Sequence, residues 1–233
     1  MKKGVVARAL GGGAAAAFAY GAYLYLTLPD VRPLARANPV QTAFMQLRAR
    51  EARAKGIKPR HVHTWIRYSS VSPHLTRAVL AAEDSAFWQH DGVDYVQLQE
   101  SLETGWSTGR RVRGASTITQ QLAKNIYLSP SRSPIRKLRE LVIARRMEAE
   151  LSKTRILELY LNLIEWGDGV YGADAAARTY FGVSASEIGP GQAALLAGAI
   201  INPRVLNPGR PTPRLVRRQQ LILRRMATAA EIR

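Results

Sequence analysis

The chain contains no cysteine. Disulfides, cysteine-ligated zinc and thiol catalysis are therefore excluded, although the absence says nothing about compartment. Acid is also scarce: 17 Asp and Glu face 34 Lys and Arg, for a net charge of +17. An excess of that size implies a polyanionic partner, whether nucleic acid, an anionic membrane surface or a phosphate-bearing substrate. There is no series of alternating strands and no internal repeat. What remains is a chain of 233 residues with 46% apolar content, long enough for one domain with a real core and too apolar for wholesale disorder.

One long stretch lacks charge altogether. Lys2, Lys3 and Arg8 precede it, and Ala9 to Leu28 then runs without an ionisable acid or base. As a helix, these roughly 20 residues cross roughly 30 Å of hydrocarbon. Tyr20, Tyr23 and Tyr25 gather toward the far end, where an aromatic belt sits. The expectation is a single transmembrane anchor with a cytoplasmic tip and the rest of the chain outside. The competing reading is a cleaved signal peptide, for which Ala17-Phe18-Ala19 offers a small-x-small site; the anchor is preferred because cleaved apolar cores run only about 7–15 residues.

The remainder divides by pattern. Residues 1–28 form the tip and anchor, 29–70 a linker and membrane-proximal region, 71–210 the main domain, and 211–233 a basic C-terminal helix. Pro29, Pro33 and Pro39 punctuate the linker, "MQLRAREARAKG" reads as a short charged helix with a solvated face, and "HTWIRYSSVS" as a short extended piece. From Ser72 the spacing is helical almost throughout. Ser72-Pro73 and Ser133-Pro134 look like N-cap followed by N1, and Ser184 with Glu187 makes a capping-box pattern. Ile156, Leu157, Tyr160, Leu161 and Ile164 recur at helical spacing, as do Leu98, Leu102 and Trp106. The domain is expected to be mainly α.

Four stretches carry chemistry. In "LTRAVLAAEDSAFWQHDG", Leu75, Val79 and Glu83 fall at i, i+4 and i+8, so Glu83 extends an apolar stripe. A carboxylate there is partly desolvated, which raises its pKa and suits it to proton transfer; a glutamate that simply turns to solvent is the plain alternative. Asp84 follows on a neighbouring face, and His90 reads as a packed, hydrogen-bonded histidine. In "GASTITQQLAKN", Thr117 and Gln120 suggest a capping box, Ile118, Leu122 and Ile126 form the buried stripe, and Thr117, Gln120, Gln121 and Lys124 share another face. Capping and solvation explain one hydroxyl but not so many polar groups, and a helix N-terminus with hydroxyls and a lysine suits a phosphate or sugar. The preceding "STGRRVRG" reads as a mobile basic loop. In "SPIRKLRELVIARRMEAELSK", Arg136, Lys137 and Glu140 share a face: either an ordinary ion pair or a cationic clamp for a pyrophosphate, with Glu140 orienting the cations or a metal. In "KTRILELYLNLIEWGDGVYG", Lys153, Glu158 and Asn162 stand off an apolar core stripe.

"EDSAFWQHDG", "GASTITQQLAKN", "RKLRE" and "KTRILELYLNLIEWGDGVYG", in that order between about Ala81 and Pro208, resemble the successive motifs of the peptidoglycan glycosyltransferases, glycosyltransferase family 51. Length and the single anchor are similar to its monofunctional members. Ser-x-x-Lys, Ser-x-Asn and Lys-Thr-Gly, the marks of a penicillin-binding transpeptidase domain, occur nowhere. The resemblance implies a lysozyme-like, mostly α fold with a membrane-embedded lobe, acting on lipid II at the outer face of the inner membrane in cell-wall biogenesis. It assigns Glu83 as the base that deprotonates the acceptor 4-hydroxyl, with inversion at the donor's anomeric carbon and loss of polyprenyl pyrophosphate. Glu140 matches the second functional glutamate. Lys124, Arg136 and Lys137 would meet the pyrophosphate, and Ser116, Thr117, Gln120 and Gln121, with Asp84, would contact substrate. It also implies a divalent cation, Mg or Mn, and partners among cell-wall synthesis or division proteins.

Two other classes fit parts of the pattern. A muramidase or lytic transglycosylase would cleave the same glycan on a similar fold, but glycan cleavage needs an acid for the leaving oxygen and no pyrophosphate cluster. A nucleic-acid binder fits the charge alone, and the expected span and lack of aromatic stacking motifs argue against it. The basic "RLVRRQQLILRRM" either lies on anionic lipid or is a solvated terminal helix.

Overall fold

The computed structural model describes residues 18–108, 116–131 and 133–231. The first charged residues and the start of the apolar run lie outside them, as does most of the basic loop "STGRRVRG". Residues 18–26 are helical (α1), with Phe18, Tyr20, Tyr23 and Leu26 exposed. Among the described residues, no helix is long and apolar enough to cross a membrane.

The helices that follow are α2 (Ala43–Ala54), α3 (Pro73–Glu83), α4 (Tyr95–Thr108), α5 (Ile118–Tyr127), α6 (Pro134–Glu150), α7 (Lys153–Leu163), α8 (Ala173–Phe181), α9 (Pro190–Ala199) and α10 (Pro213–Glu231). The expectation of a mainly α domain holds, with one addition. Val62–His63 (β1), Glu165–Gly167 (β2) and Val170–Tyr171 (β3) form a small sheet in the order β1-β3-β2. Strand β1 runs parallel to β3 and pairs Val62 with Val170; β2 is antiparallel to β3 with an irregularity between Glu165 and Gly167. Runs of two or three residues are too short for alternation to show. Gly169, at φ +67, makes the tight turn between β2 and β3, and a Cβ there would lie 2.5 Å from the Arg60 carbonyl oxygen.

Helix α7 is buried almost all round: Ile156, Leu157, Leu159, Tyr160, Leu161 and Leu163 are all inaccessible. Its Asn162 is equally buried, and its amide both accepts from Ile66 N–H and donates to Ile66 C=O, each at 2.8 Å. Glu158 accepts from Tyr68 N–H at 2.8 Å. The polar residues of this motif thus satisfy backbone groups of Ile66 and Tyr68, half-buried residues of an irregular stretch packed on the core. Helices α5, α6 and α7 pack together, and α3, α9 and α10 form a second group. Val31, Leu34 and Met45, from the 29–70 stretch, enter the same core.

Three local expectations are corrected. Ser184 and Glu187 make a turn, with Glu187 accepting from Ser184 N–H at 2.9 Å, and the next helix starts at Pro190. Ser133 makes no side-chain cap, whereas Ser72 accepts from His74 N–H. The face of α2 is not simply solvated: Arg48 bonds Glu165 on β2 at 3.0 Å and Glu51 at 2.9 Å.

Candidate active site

Helix α3 ends at Glu83, and the next residue turns inward. Asp84 is 3% exposed and accepts from Ile118 N–H at 2.9 Å, so it caps the start of α5 beside Thr117. His90 accepts from Gly92 N–H at Nδ1 (3.2 Å) and therefore presents its Nε2 proton to Asp84 at 3.0 Å. Both Asp84 oxygens are taken by protein groups. Asp84, expected among the substrate contacts, instead fastens α3 to α5, and His90 is the packed histidine that was expected.

Thr117 and Gln120 were also expected to face substrate, and both are buried. The Thr117 hydroxyl donates to Gly92 C=O at 2.7 Å and accepts from Gln120 N–H at 3.2 Å. Gln120 donates to the same carbonyl at 3.1 Å and accepts from Lys137 Nζ at 2.8 Å. For Thr117 the reason is the helix terminus itself, whose free N–H groups must be satisfied once they are buried; Gln120 instead ties the Gly92 carbonyl to Lys137. Thr119 likewise donates to Glu148 on α6. Much of the polarity of this helix is an internal network.

The outward part is different. Glu83 is 12% exposed at its side chain. Its Oε2 accepts from Gln121 Nε2 at 3.0 Å, and its Oε1 lies 3.4 Å from an Arg218 nitrogen. Burial raises its pKa; Gln121, Arg218 and Lys124 pull it back, and Asp84 adds to the rise. Lys124, one turn along α5 from Gln121, carries its Nζ 5.8 Å above the Phe44 ring, with no hydrogen bond among the described residues. Burial lowers its pKa, Glu140 opposes that, and the neighbouring Arg136 and Lys137 reinforce it. Burial is thus the leading cause in both groups, and in each it disfavours the charged form.

On α6, Glu140 is buried between Arg136 and Lys137 and bonds both. Lys137, 39% exposed, reaches across to Ser116 Oγ at 3.1 Å as well as to Gln120. The face Arg136-Lys137-Glu140 read from spacing is therefore real and is joined to the start of α5. Of the predicted site residues, Glu83, Gln121, Lys124, Ser116, Arg136, Lys137 and Glu140 converge around α5, whereas Asp84, Thr117 and Gln120 support them from beneath. Arg218 was missed. It sits on α10, far along the chain, and the only signal was the basic stripe of that helix. Leu215 and Ile222 turn the apolar side of α10 onto α3 and α9, while Val216 and Leu221 stay exposed.

The divalent cation that the resemblance implied finds no ready set of ligands among the described residues. Among the described residues, no three His, Asp or Glu side chains converge as metal ligands. Glu140 is held by two cations, and Asp84 by a backbone N–H and His90. What the surface offers is a desolvated carboxylate able to take a proton, with a cluster of cations across α5 able to receive an anion.

The transglycosylase family model matches residues 51–227. The chain is 48% identical over 193 residues to the biosynthetic peptidoglycan transglycosylase of Nitrosospira multiformis, covering 83% of this chain and 84% of that protein. It is 46% identical over 192 residues to that of Dechloromonas aromatica, covering 82% and 83%. It is 52% identical over 167 residues to that of Aromatoleum aromaticum, covering 72% and 73%. With the family model spanning most of the chain and relatives this similar along most of their own length, the chain belongs to the transglycosylase family.

Proposed function

We propose that this protein polymerises lipid II into peptidoglycan glycan strands. The observation that carries the reading is the pairing of Glu83, desolvated and bonded among the described residues only by Gln121 and a distant Arg218, with the cations Lys124, Arg136 and Lys137 around the same helix. Glu83 takes the proton of the acceptor 4-hydroxyl. That oxygen forms a bond to the donor's anomeric carbon from the face opposite the leaving group, and the bond to the polyprenyl pyrophosphate breaks. The charge released on the pyrophosphate meets Lys124, Arg136 and Lys137, an electrostatic stabilisation that grows toward the transition state. Glu140 keeps Arg136 and Lys137 in place, and Ser116 lies beside Lys137 for polar contact with the substrate. Glycan cleavage needs no such cationic group, and the similar proteins are named for synthesis.

The protein works in the cell envelope. Its charge-free N-terminal run holds it in the inner membrane as a single span, with the catalytic domain on the outer face. The exposed apolar side chains of α1 support this placement. Detergent-solubilised protein incubated with labelled lipid II is expected to give long glycan polymer. Exhaustion of lipid II without polymer, or shortening of preformed glycan, would count against it.

A further inference from the structure

Gln121 has no free end. Its Nε2 donates to Glu83 Oε2 at 3.0 Å and to Ser116 C=O at 3.3 Å, and its Oε1 accepts from the Tyr160 hydroxyl at 3.0 Å. Tyr160 lies in the middle of α7, completely buried, and this is the only hydrogen bond of its hydroxyl among the described residues. We infer that Tyr160 is a positioning residue for Glu83, acting through Gln121: its hydroxyl fixes the carboxamide so that an N–H donor faces the base through the whole catalytic cycle. This rests on the reading of Glu83 as the base.

The two ends of a carboxamide are nearly the same shape, so only hydrogen bonds decide which end faces where. While Glu83 is charged, it selects the N–H end itself. Once it has taken the acceptor's proton, that selection lapses. A carboxyl O–H can donate to Oε1 of a flipped amide, and that bond would stabilise the protonated form and slow return of the base. Tyr160 prevents the flip. A flipped amide would leave the phenolic hydrogen in the core without an acceptor, at the cost of a buried unsatisfied group. Burial, with Glu83 and Asp84 nearby, holds the Tyr160 pKa far above the ordinary phenol range, so it remains a donor at any working pH. The Ser116 carbonyl, taking the second amide proton, selects the same orientation.

The test is Tyr160→Phe in the full chain, assayed on lipid II across pH. The expected result is a kcat about tenfold lower, the size of one hydrogen bond, with KM within about twofold. The acid limb of kcat should move to higher pH, because Glu83 loses a donor that favours its charged form. Tyr171→Phe is the control for deleting a buried hydroxyl, since the Tyr171 oxygen has no hydrogen-bond partner among the described residues; kcat and its pH limb should stay unchanged. Gln121→Met should move the limb in the same direction on its own, and adding Tyr160→Phe to it should do nothing further. An unshifted limb in Tyr160→Phe, or in Gln121→Met should the phenylalanine variant not fold, overturns the inference, as do losses that multiply. A parent protein that makes no polymer would instead overturn the function itself, and the inference with it.

Discussion

At the scale of residues, the site places a carboxylate and an ammonium group where burial disfavours the charge of each. For Glu83 this has a measurable consequence of definite sign. Its folded pKa is raised, so the folded protein binds a proton more readily than the unfolded chain. That contribution is fully present below the unfolded pKa and is lost as pH rises through the folded one. Glu83→Gln removes the penalty of a buried charge. It is expected to melt no lower than the parent near neutral pH while polymerising roughly 10²–10⁴-fold more slowly. In the parent, activity should rise with pH through an apparent pKa above that of a free glutamate. Polymer formation by Glu83→Gln within a few-fold of the parent would move the base elsewhere, with Glu140 tested next. Lys137 bridges Ser116, Gln120 and Glu140. Lys137→Ala leaves Arg136 on Glu140 and should cost at least about tenfold in kcat by the loss of one stabilising cation, in a protein that still folds but melts somewhat lower because the buried Gln120 oxygen loses its donor. Full turnover in a folded Lys137→Ala protein would reduce the pair to a structural bridge.

At the scale of elements, two connections assemble the site. The first is the start of α5, where Asp84 caps Ile118 N–H and holds His90. Asp84→Ala leaves a buried N–H without a partner and is expected to cost about 2 kcal/mol, read as a melting temperature lower by roughly 4–8 °C for a domain of this size. Calorimetry on the folded variant decides it, and an unchanged melting temperature would show the cap to be dispensable. The second is α10 on α9. Ala193, Ala194 and Ala197 are buried, and Gly198 lies where a Cβ would stand 3.1 Å from Leu215 Cδ1. Small residues let the two helices close, and that brings Arg218 beside Glu83. Arg218→Gln should raise the pH at which activity appears, because one of the cations opposing the rise in the Glu83 pKa is lost. A pH profile superimposable on the parent's would place Arg218 outside the base's environment.

At the scale of the whole molecule, the proposed membrane span can be separated from the excess of 17 positive charges, because the two would hold a membrane by different physics. Electrostatic attraction to anionic lipid is screened by salt, whereas burial of an apolar helix is not. Membranes carrying the full chain should therefore retain it through a wash in roughly 1 M salt, where the Debye length is about 3 Å. Release by salt alone would mean that charge, and not a span, holds the protein in place.

Much of this was legible in the residues. Helical spacing located α3, α5, α6 and α7, and the place of Glu83 at the end of an apolar stripe and the shared face of Arg136, Lys137 and Glu140 were legible because each follows from position on one helix; the roles proposed for them came from the resemblance. Proton-accepting and anion-holding chemistry were likewise readable, since both depend on residue type. The tertiary structure decided which polar groups face inward. Asp84, Thr117 and Gln120 look like ligands in the chain, yet groups at and around the buried start of α5 claim their hydrogen bonds, and no local spacing reveals that a terminus will be covered. It also decided the contacts between distant segments: Arg218 against Glu83, Tyr160 behind Gln121, and Asn162 beneath the backbone of 64–68. Strand β1 forms only because Val62–His63 meets β3 from far along the chain. Periodicity records the environment that one element imposes on its own side chains. Pairings between elements depend on how the helices pack, and they become visible only once the chain is folded.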